Sequence, residues 1–397
     1  MSITIIQEPL EVTPAYNPIN YVVSSDNTAE PSFQYVFDLY IGGTFVSRHR
    51  LPPKTFTGVA RLDVSSIVQS YVTHDINIED TAFDRNPNSW IDFYIRFGEE
   101  YTVDGVLTTY INLIDSTTCY AVNASLEYLP FADWNNNTYY QGSTRKFLTS
   151  IAEPRVLDNT NLWLHLYHEI PENIIEVNVQ TFSSNGLAIN TNSFSPTDLS
   201  NAEVGDRFLR VSVGTAQLKE LFGASFFDGA SYYRILILDL TSSFVFEQKT
   251  IHIQESNCKY ENIPLHFLNV QGGFDVFNFK LASTKSTGIE KKRYNVIEGS
   301  FNSSNEYVYA SSDRSNQVMS SSNQDSITVN SDWITEAESA WLKELVTSPI
   351  VFMEQAGQLI PVSITETKYK TNKTVNEKLF NLQITFDFGN ENYRQSY

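Results

Sequence analysis

Basic residues are scarce in this sequence: 27 Lys and Arg stand against 46 Asp and Glu, a formal charge of −19 over 397 residues. A chain this acidic repels phosphate backbones, so its charge balance argues against a nucleic-acid partner. Cysteine is scarcer still, and Cys119 and Cys258 alone build neither a disulfide framework nor a zinc site. No uninterrupted apolar run approaches the ~18 residues of a membrane-spanning helix, which argues against membrane insertion. The opening Met1-Ser2-Ile3-Thr4-Ile5-Ile6-Gln7-Glu8-Pro9 lacks the basic start and apolar core of a signal peptide. These absences predict synthesis and folding in a reducing cytoplasm. Catalytic signatures are missing as well. There is no G-x-x-x-x-G-K-[ST] and no G-x-S-x-G, and Gly272-Gly273 completes no G-x-G-x-x-G.

What is present favours β-structure. Aromatic residues make up 13% of the chain, with 22 Tyr and 26 Phe, and such side chains pack well on a pleated surface. Hydrophobic residues reach 41% against 18% charged, enough apolar material for several cores. The length implies two to four domains of roughly 100–150 residues each.

An internal repeat organises the first two-thirds. Ala60-Arg61-Leu62-Asp63-Val64-Ser65-Ser66-Ile67-Val68 mirrors Leu209-Arg210-Val211-Ser212-Val213-Gly214-Thr215-Ala216-Gln217-Leu218. In both, a strand runs into a Ser/Thr-capped helical turn, the second closed by Gly223. Residues 119–129 align with 258–268 through Cys119 and Cys258, which predicts that the two cysteines are equivalent small core residues. Glu8-Pro9 and Glu153-Pro154 precede strands expected at 19–24 and 162–168. Phe33, Tyr35, Phe37 and Leu39 alternate against Gln34, Asp38 and Tyr40, and residues 90–97 alternate likewise. Residues 234–240, nearly all apolar, predict a central strand buried on both faces. Seven or so short strands per copy predict two tandem immunoglobulin- or fibronectin type III-like β-sandwiches, at 1–131 and 145–270.

Residues 271–397 predict a third domain, an antiparallel sheet carrying one packed helix. A polar, hairpin-rich region runs to about Asn330, with 300–304 and 320–323 read as loops. Thr335 and Glu338 form a capping box for a helix over 335–347. Ala337, Trp341, Leu342, Leu345 and Val346 supply its apolar face, and Ser348-Pro349 stops it. Strands follow at 350–355, 359–365 and 377–388.

The candidate sites carry structural readings. His165-Leu166-Tyr167-His168-Glu169 has the wrong spacing for a zinc-protease helix, and on a strand the two histidines point to opposite faces. Asp75, Asn77, Glu79, Asp80 and Asp84 crowd one loop, but without the glycine and spacing of a Ca²⁺-binding EF-hand. Lys291-Lys292-Arg293, flanked by Glu290 and Glu298, reads as a solvated strand end. Gly272-Gly273 reads as a sharp bend between the second and third domains. Tyr139, Tyr140 and Tyr393 suit packing or an interface better than sugar stacking. No catalytic, cofactor-binding or metal-binding residue is assigned.

Two segments carry a resemblance. Leu265-His266-Phe267-Leu268-Asn269-Val270-Gln271-Gly272-Gly273-Phe274-Asp275 resembles a recurring L-x-F/W-L-N-x-x-G-G-F/W-D pattern. Ser331-Asp332-Trp333-Ile334, Ala340-Trp341-Leu342-Lys343-Glu344-Leu345, Ser348-Pro349-Ile350-Val351 and 359–365 are similar to its companion segment. Both resemble structural proteins of tailed bacteriophages that infect Bacteroidetes, the crAss-like phages among them, and cover about a third of the chain. The resemblance implies a non-enzymatic virion component of baseplate, tail hub or tail tip, forming a homo-oligomeric ring and contacting other tail proteins. It supplies no catalytic residues and no cofactor. The alternative is a carbohydrate-binding adhesin or receptor-binding protein that contacts a host glycan. A hydrolase built from scattered carboxylates is the weaker third class.

Overall fold

The computed structural model describes residues 3–74, 76, 83–85, 87–168, 175–195, 207–239, 245–255, 259–365 and 379–394. It is mainly β, with several sheets, and divides into two compact units. Unit 1 comprises Met1–Glu255 with Phe267–Phe277, and unit 2 comprises Ser256–His266 with Asn278–Tyr397. The stretches that align as repeats lie in unit 1, apart from 256–266.

The first half of unit 1 carries β1 (Ile3–Gln7), β2 (Val12–Pro14), β3 (Asn20–Ser25), β4 (Gln34–Ile41), β5 (Thr44–Leu51), β6 (Ala60–Asp63), β7 (Phe83–Arg85), β8 (Trp90–Val103), β9 (Val106–Asp115) and β10 (Cys119–Val122). One sheet runs β1-β3-β6. The other runs β2-β10-β8-β4-β5, with β9 also paired to β8. Tyr21, Val23 and Ala60 from the first share a core with Tyr35, Phe37, Leu39, Phe93, Ile95 and Phe97 from the second. The expected alternation therefore places Tyr35, Phe37 and Leu39 inward. Val36 and Asp38, on the opposite face of β4, are buried as well. Arg48 makes that tolerable for Asp38, meeting its carboxylate with two hydrogen bonds of 2.6 Å.

The second half carries β11 (Thr144–Arg145), β12 (Arg155–Leu157), β13 (Trp163–Tyr167), β14 (Ile175–Phe182), β15 (Ala188–Phe194), β16 (Phe208–Ser212), β17 (Tyr232–Asp239), β18 (Val245–Phe246) and β19 (Lys249–Gln254). Its larger sheet runs β11-β18-β17-β14-β15, with β19 joining β17 to β12. On β17, Tyr233, Ile235, Ile237 and Asp239 are buried while Tyr232, Arg234, Leu236 and Leu238 are only half-buried. The strand is thus sided, not buried on both faces as expected. Its outer face is covered in part by Arg234, whose guanidinium lies 4.8 Å from the Phe182 ring centroid.

Backbone hydrogen bonds put the two halves in register. Val64 N–H donates to the Ile19 carbonyl at 3.1 Å, and Val213 N–H donates to the Leu162 carbonyl at 2.9 Å. The aligned segments 60–68 and 209–218 therefore hold the same place in each half. Their helical turns are α1 (Ser65–Val68) and α4 (Thr215–Phe222), with α2 (Tyr128–Ala132) and α3 (Asn136–Tyr139) between them in the chain, and neither α1 nor α4 is capped by Ser or Thr as expected. Asp63 Oδ1 accepts from Ser65 N–H at 3.0 Å, and Gln217 Oε1 accepts from Gly214 N–H at 2.9 Å.

The cysteine alignment fails. Tyr120 N–H donates to the Glu11 carbonyl where β10 runs parallel to β2, and His252 N–H donates to the Pro154 carbonyl where β19 runs parallel to β12. Ile251 is thus the counterpart of Cys119, and both are fully buried. The position keeps burial and not residue type. Cys258 lies outside the described residues.

The halves are fused. β7, from the first, extends the sheet of the second in the order β13-β16-β7, with Asp84 opposite Arg210 and Arg210 opposite His165. Between the halves, Val12, Val122, Trp134, Tyr140, Leu148, Tyr167 and Phe208 form a separate apolar cluster. Within it Trp134 Nε1–H donates to the Val12 carbonyl at 3.0 Å.

In unit 2 the sheet order is β20 (Ile263–Leu268), then β27 (Val351–Gln355), β28 (Gln358–Ile364), β30 (Gln383–Phe388), β25 (Asn316–Asn330) and β22 (Thr284–Asn295). β21 (Phe274–Phe279) follows β20 in the chain, and β31 (Asn392–Tyr393) pairs with β25. Two short pairs complete the unit: β23 (Ser300–Phe301) with β24 (Tyr307–Val308), and β26 (Ile334–Thr335) with β29 (Leu379–Phe380). The helix α5 (Glu336–Thr347) begins as its sequence dictates. Glu338 N–H donates to Thr335 Oγ1 at 3.2 Å, and Thr335 N–H donates to Glu338 Oε2 at 2.8 Å. Trp341, Leu342 and Leu345 are buried, but Ala337 is exposed and Val346 half-buried, so the apolar face is narrower than expected.

Candidate interaction arm

β22 and β25 form the longest strand pair in unit 2, in antiparallel register from Thr284↔Thr328 to Asn295↔Asn316. Every residue of β22 is exposed. Near its base the pair is flanked by β30, which reaches Ser326, and by β31, which reaches Ser322 and Asn323. The Ser321 carbonyl still accepts from Arg394 N–H at 2.9 Å, and beyond Lys291↔Ser321 no third strand joins the pair among the described residues, so it continues as a two-stranded ribbon. Twelve residues of strand span about 40 Å.

The composition of the ribbon matches that environment. With β22 wholly exposed and β25 half-buried over 320–326, Ser, Thr, Asn and Gln can hydrogen-bond across the strands at little desolvation cost. Ser286 and Ser326 hydroxyls meet at 2.7 Å, Thr287 Oγ1 donates to Asp325 Oδ1 at 2.6 Å, and Tyr294 OH donates to Gln317 Oε1 at 2.8 Å. Residues 320–323, expected as a loop, are instead the middle of β25.

Beyond the ribbon lies an aromatic tip built on the β23–β24 hairpin. Asn302 Oδ1 accepts from the N–H groups of Ser304 and Glu306 at 2.9 Å each, and Asn305 takes a left-handed φ of 60° to close the turn. Phe301 packs edge-on against Tyr307, and Tyr307 against Tyr309, with centroids 5.0 and 5.4 Å apart. These rings cover each other incompletely. Ile297 is 86% exposed, Phe301 70% and Tyr309 70%.

The residues singled out from sequence are dispersed. Lys291, Lys292 and Arg293 lie on β22, exposed. His165 and His168 are both buried, with different surroundings. The His165 ring faces Phe208 and Phe274 at 5.8 and 6.4 Å, and burial lowers its pKa to about 3. His168, just past β13, places Nε2 3.6 Å from Asp239 Oδ2. Glu169 lies outside the described residues, as do Asp75, Asn77, Glu79 and Asp80; Asp84 belongs to β7. Among the described residues no group of three or more His, Cys, Asp or Glu is placed to hold a metal ion. Tyr139 stacks on Trp134 at 4.7 Å, and Tyr140 is buried with its hydroxyl against Arg207 and Glu11. Tyr393 is exposed beside the ribbon. Cys119 is buried and reduced, its thiol pKa pushed up to about 11 by burial.

Gly272-Gly273 is not a bend between domains. It belongs to the tight connection from β20 to β21, which docks within unit 1. Asn269 N–H donates to the Gly273 carbonyl at 2.8 Å, and Ser125 N–H donates to the Val270 carbonyl at 2.8 Å. A Cβ on Gly272 would stand 2.7 Å from the Asn123 carbonyl oxygen, and one on Gly273 would stand 2.8 Å from that of Leu148. Asp275 accepts from Thr149 Oγ1 at 3.0 Å. The roles of Asn269 and Asp275 escaped sequence reasoning, although both sit inside the quoted L-x-F-L-N-x-x-G-G-F-D run.

No protein-family model matches this chain, and no curated protein matches its sequence.

Proposed function

We propose that this chain is a non-enzymatic structural protein of a tailed-phage virion, a baseplate, tail-hub or tail-tip component that assembles with itself and with other tail proteins after synthesis in the host cytoplasm. The observation that carries the reading is the β22/β25 ribbon with its aromatic tip. An isolated two-stranded hairpin is marginally stable in water, and exposed apolar side chains at its end gain free energy when covered. Such an element suits a contact made on assembly.

Two further features support it. The segment resemblance points to structural proteins of tailed phages. The strand order of each half of unit 1 fits tandem immunoglobulin- or fibronectin type III-like sandwiches. In the first half β1, β3 and β6 form one layer, β5, β4, β8 and β10 form the other, and β2 runs parallel to the last strand. Stiff modules of this kind work through their surfaces and loops.

The test is the native mass of the purified full-length chain, by mass photometry with negative-stain imaging. A defined multimer is expected. The exposed rings of Phe301 and Tyr309 favour one second reading, an adhesin that stacks sugar rings. Specific glycan-array binding by a chain that stays monomeric would replace the assembly reading with that one.

A further inference from the structure

We propose that the β22/β25 ribbon docks head-to-tail on a second copy of this chain, with Lys291, Lys292 and Arg293 as its charged contacts. The inference rests on the assembly reading above and adds the element, the partner and the class of symmetry.

Charge selects the partner. β22 carries Lys285, Lys291, Lys292 and Arg293 against Glu290 alone, in a chain with 46 acidic and 27 basic residues. Across the ribbon Lys291 faces Ser321, Lys292 faces Ser320 and Arg293 faces Val318. None of the three forms an ion pair among the described residues, whereas Lys285 lies 3.7 Å from Glu261. Three adjacent cations on an exposed strand thus form no ion pair among the described residues, and a second copy carries a formal charge of −19. Opposite potentials steer such surfaces together.

Charge also selects the geometry. Among the described residues β22 is the outer strand of its sheet, and an edge of that kind is a template for strand addition. Two-fold antiparallel pairing of one β22 with another centred on the basic run would set Lys292 against Lys292 and Lys291 against Arg293, and like charges in register repel. The favoured contact is therefore heterologous, ribbon of one copy on body of the next, which yields a ring where the rotation closes. Ile297, Phe301 and Tyr309 at the tip supply the apolar part, since aromatic anchors carry much of the energy of such contacts.

The experiment compares the wild-type chain with K291E/K292E/R293E by mass photometry at ~50 mM and ~500 mM salt, concentrations between which screening shortens the range of charge interactions more than two-fold. The expected result is a wild-type multimer that loses subunits at high salt and a variant that stays at 45.1 kDa while melting like wild type. Because the variant keeps its receiving surface, tagged wild type should capture it, whereas tagged variant should not capture variant. A multimeric variant indistinguishable from wild type overturns the inference and leaves the assembly reading standing. A wild-type chain monomeric under every condition overturns both. Should the triple Glu variant misfold, K291Q/K292Q/R293Q is judged by the same outcomes.

Discussion

The side chain of Asn269 donates to the Leu148 carbonyl at 2.9 Å, while its Oδ1 accepts from the N–H groups of Gln271 and Gly273 at 3.0 Å each. One buried amide thereby closes the β20–β21 connection on itself and ties it to the loop ahead of β12. Asn269→Ala strands a carbonyl and two N–H groups, and each buried unpaired group costs ~1–3 kcal/mol. With two of the three groups buried, the expected loss is about 2–6 kcal/mol in unit 1, measured by urea denaturation followed through amide exchange in β13 and β16. Asn269→Asp, which keeps the acceptor and loses the donor, should fall between the variant and wild type.

Gly272 and Gly357 both have left-handed φ, +91° and +73°, yet their surroundings differ. An added Cβ at Gly272 meets backbone at 2.7 Å, and one at Gly357 meets nothing within 4 Å. Gly357→Ala should cost about 1 kcal/mol from backbone strain alone. Gly272→Ala should cost about 2–4 kcal/mol, because the docked turn must also move. Thermal unfolding of the two variants side by side checks the difference.

Trp341 anchors the buried face of α5. Trp341→Ala should destabilise unit 2 by about 3–5 kcal/mol. Thr335→Ala, which removes only the cap, should cost about 1 kcal/mol. Amide exchange of the full chain reads both, and protection in β14 and β17 of unit 1 should be unchanged. Equal effects from the two substitutions would remove Trp341 from the core of unit 2.

His165 makes unit 1 sensitive to acid. In the native state burial keeps the ring neutral down to about pH 3, while an unfolded histidine takes up a proton near ~6.5. Between those values the unfolded chain binds more protons, so this contribution to stability is complete above ~6.5 and is lost as pH falls toward 3. His165→Phe places an aromatic ring in the same setting beside Phe208 and Phe274. Its stability between pH 6.5 and 4, measured by urea denaturation, should fall less steeply than that of wild type.

Local chemistry was legible in the sequence. The capping box of α5 needs only Thr335 and Glu338, three residues apart, and the structure places both hydrogen bonds. The repeat was readable at 60–68 and 209–218 because a strand running into a helical turn leaves a contiguous pattern. Two readings failed where the decisive partner is distant. The Cys119–Cys258 match followed residue identity, whereas the fold fixes that position by pairing with β2 and β12, far upstream in each half. Gly272-Gly273 read as a bend because the carbonyls of Asn123 and Leu148 that crowd it are invisible locally. Residues 320–323 were missed for another reason. Apolar alternation marks a strand only where one face is dry, and residues 320–323 are polar and half-buried on both faces alike.

Amide hydrogen exchange of the full chain, compared between dilute and assembled samples, reads whether the ribbon is covered on assembly. Amides of residues 289–322 should exchange quickly when dispersed and at least about tenfold more slowly once assembled, while those of β14 and β17 stay the same. Exchange in the ribbon equally fast in both samples would contradict that coverage.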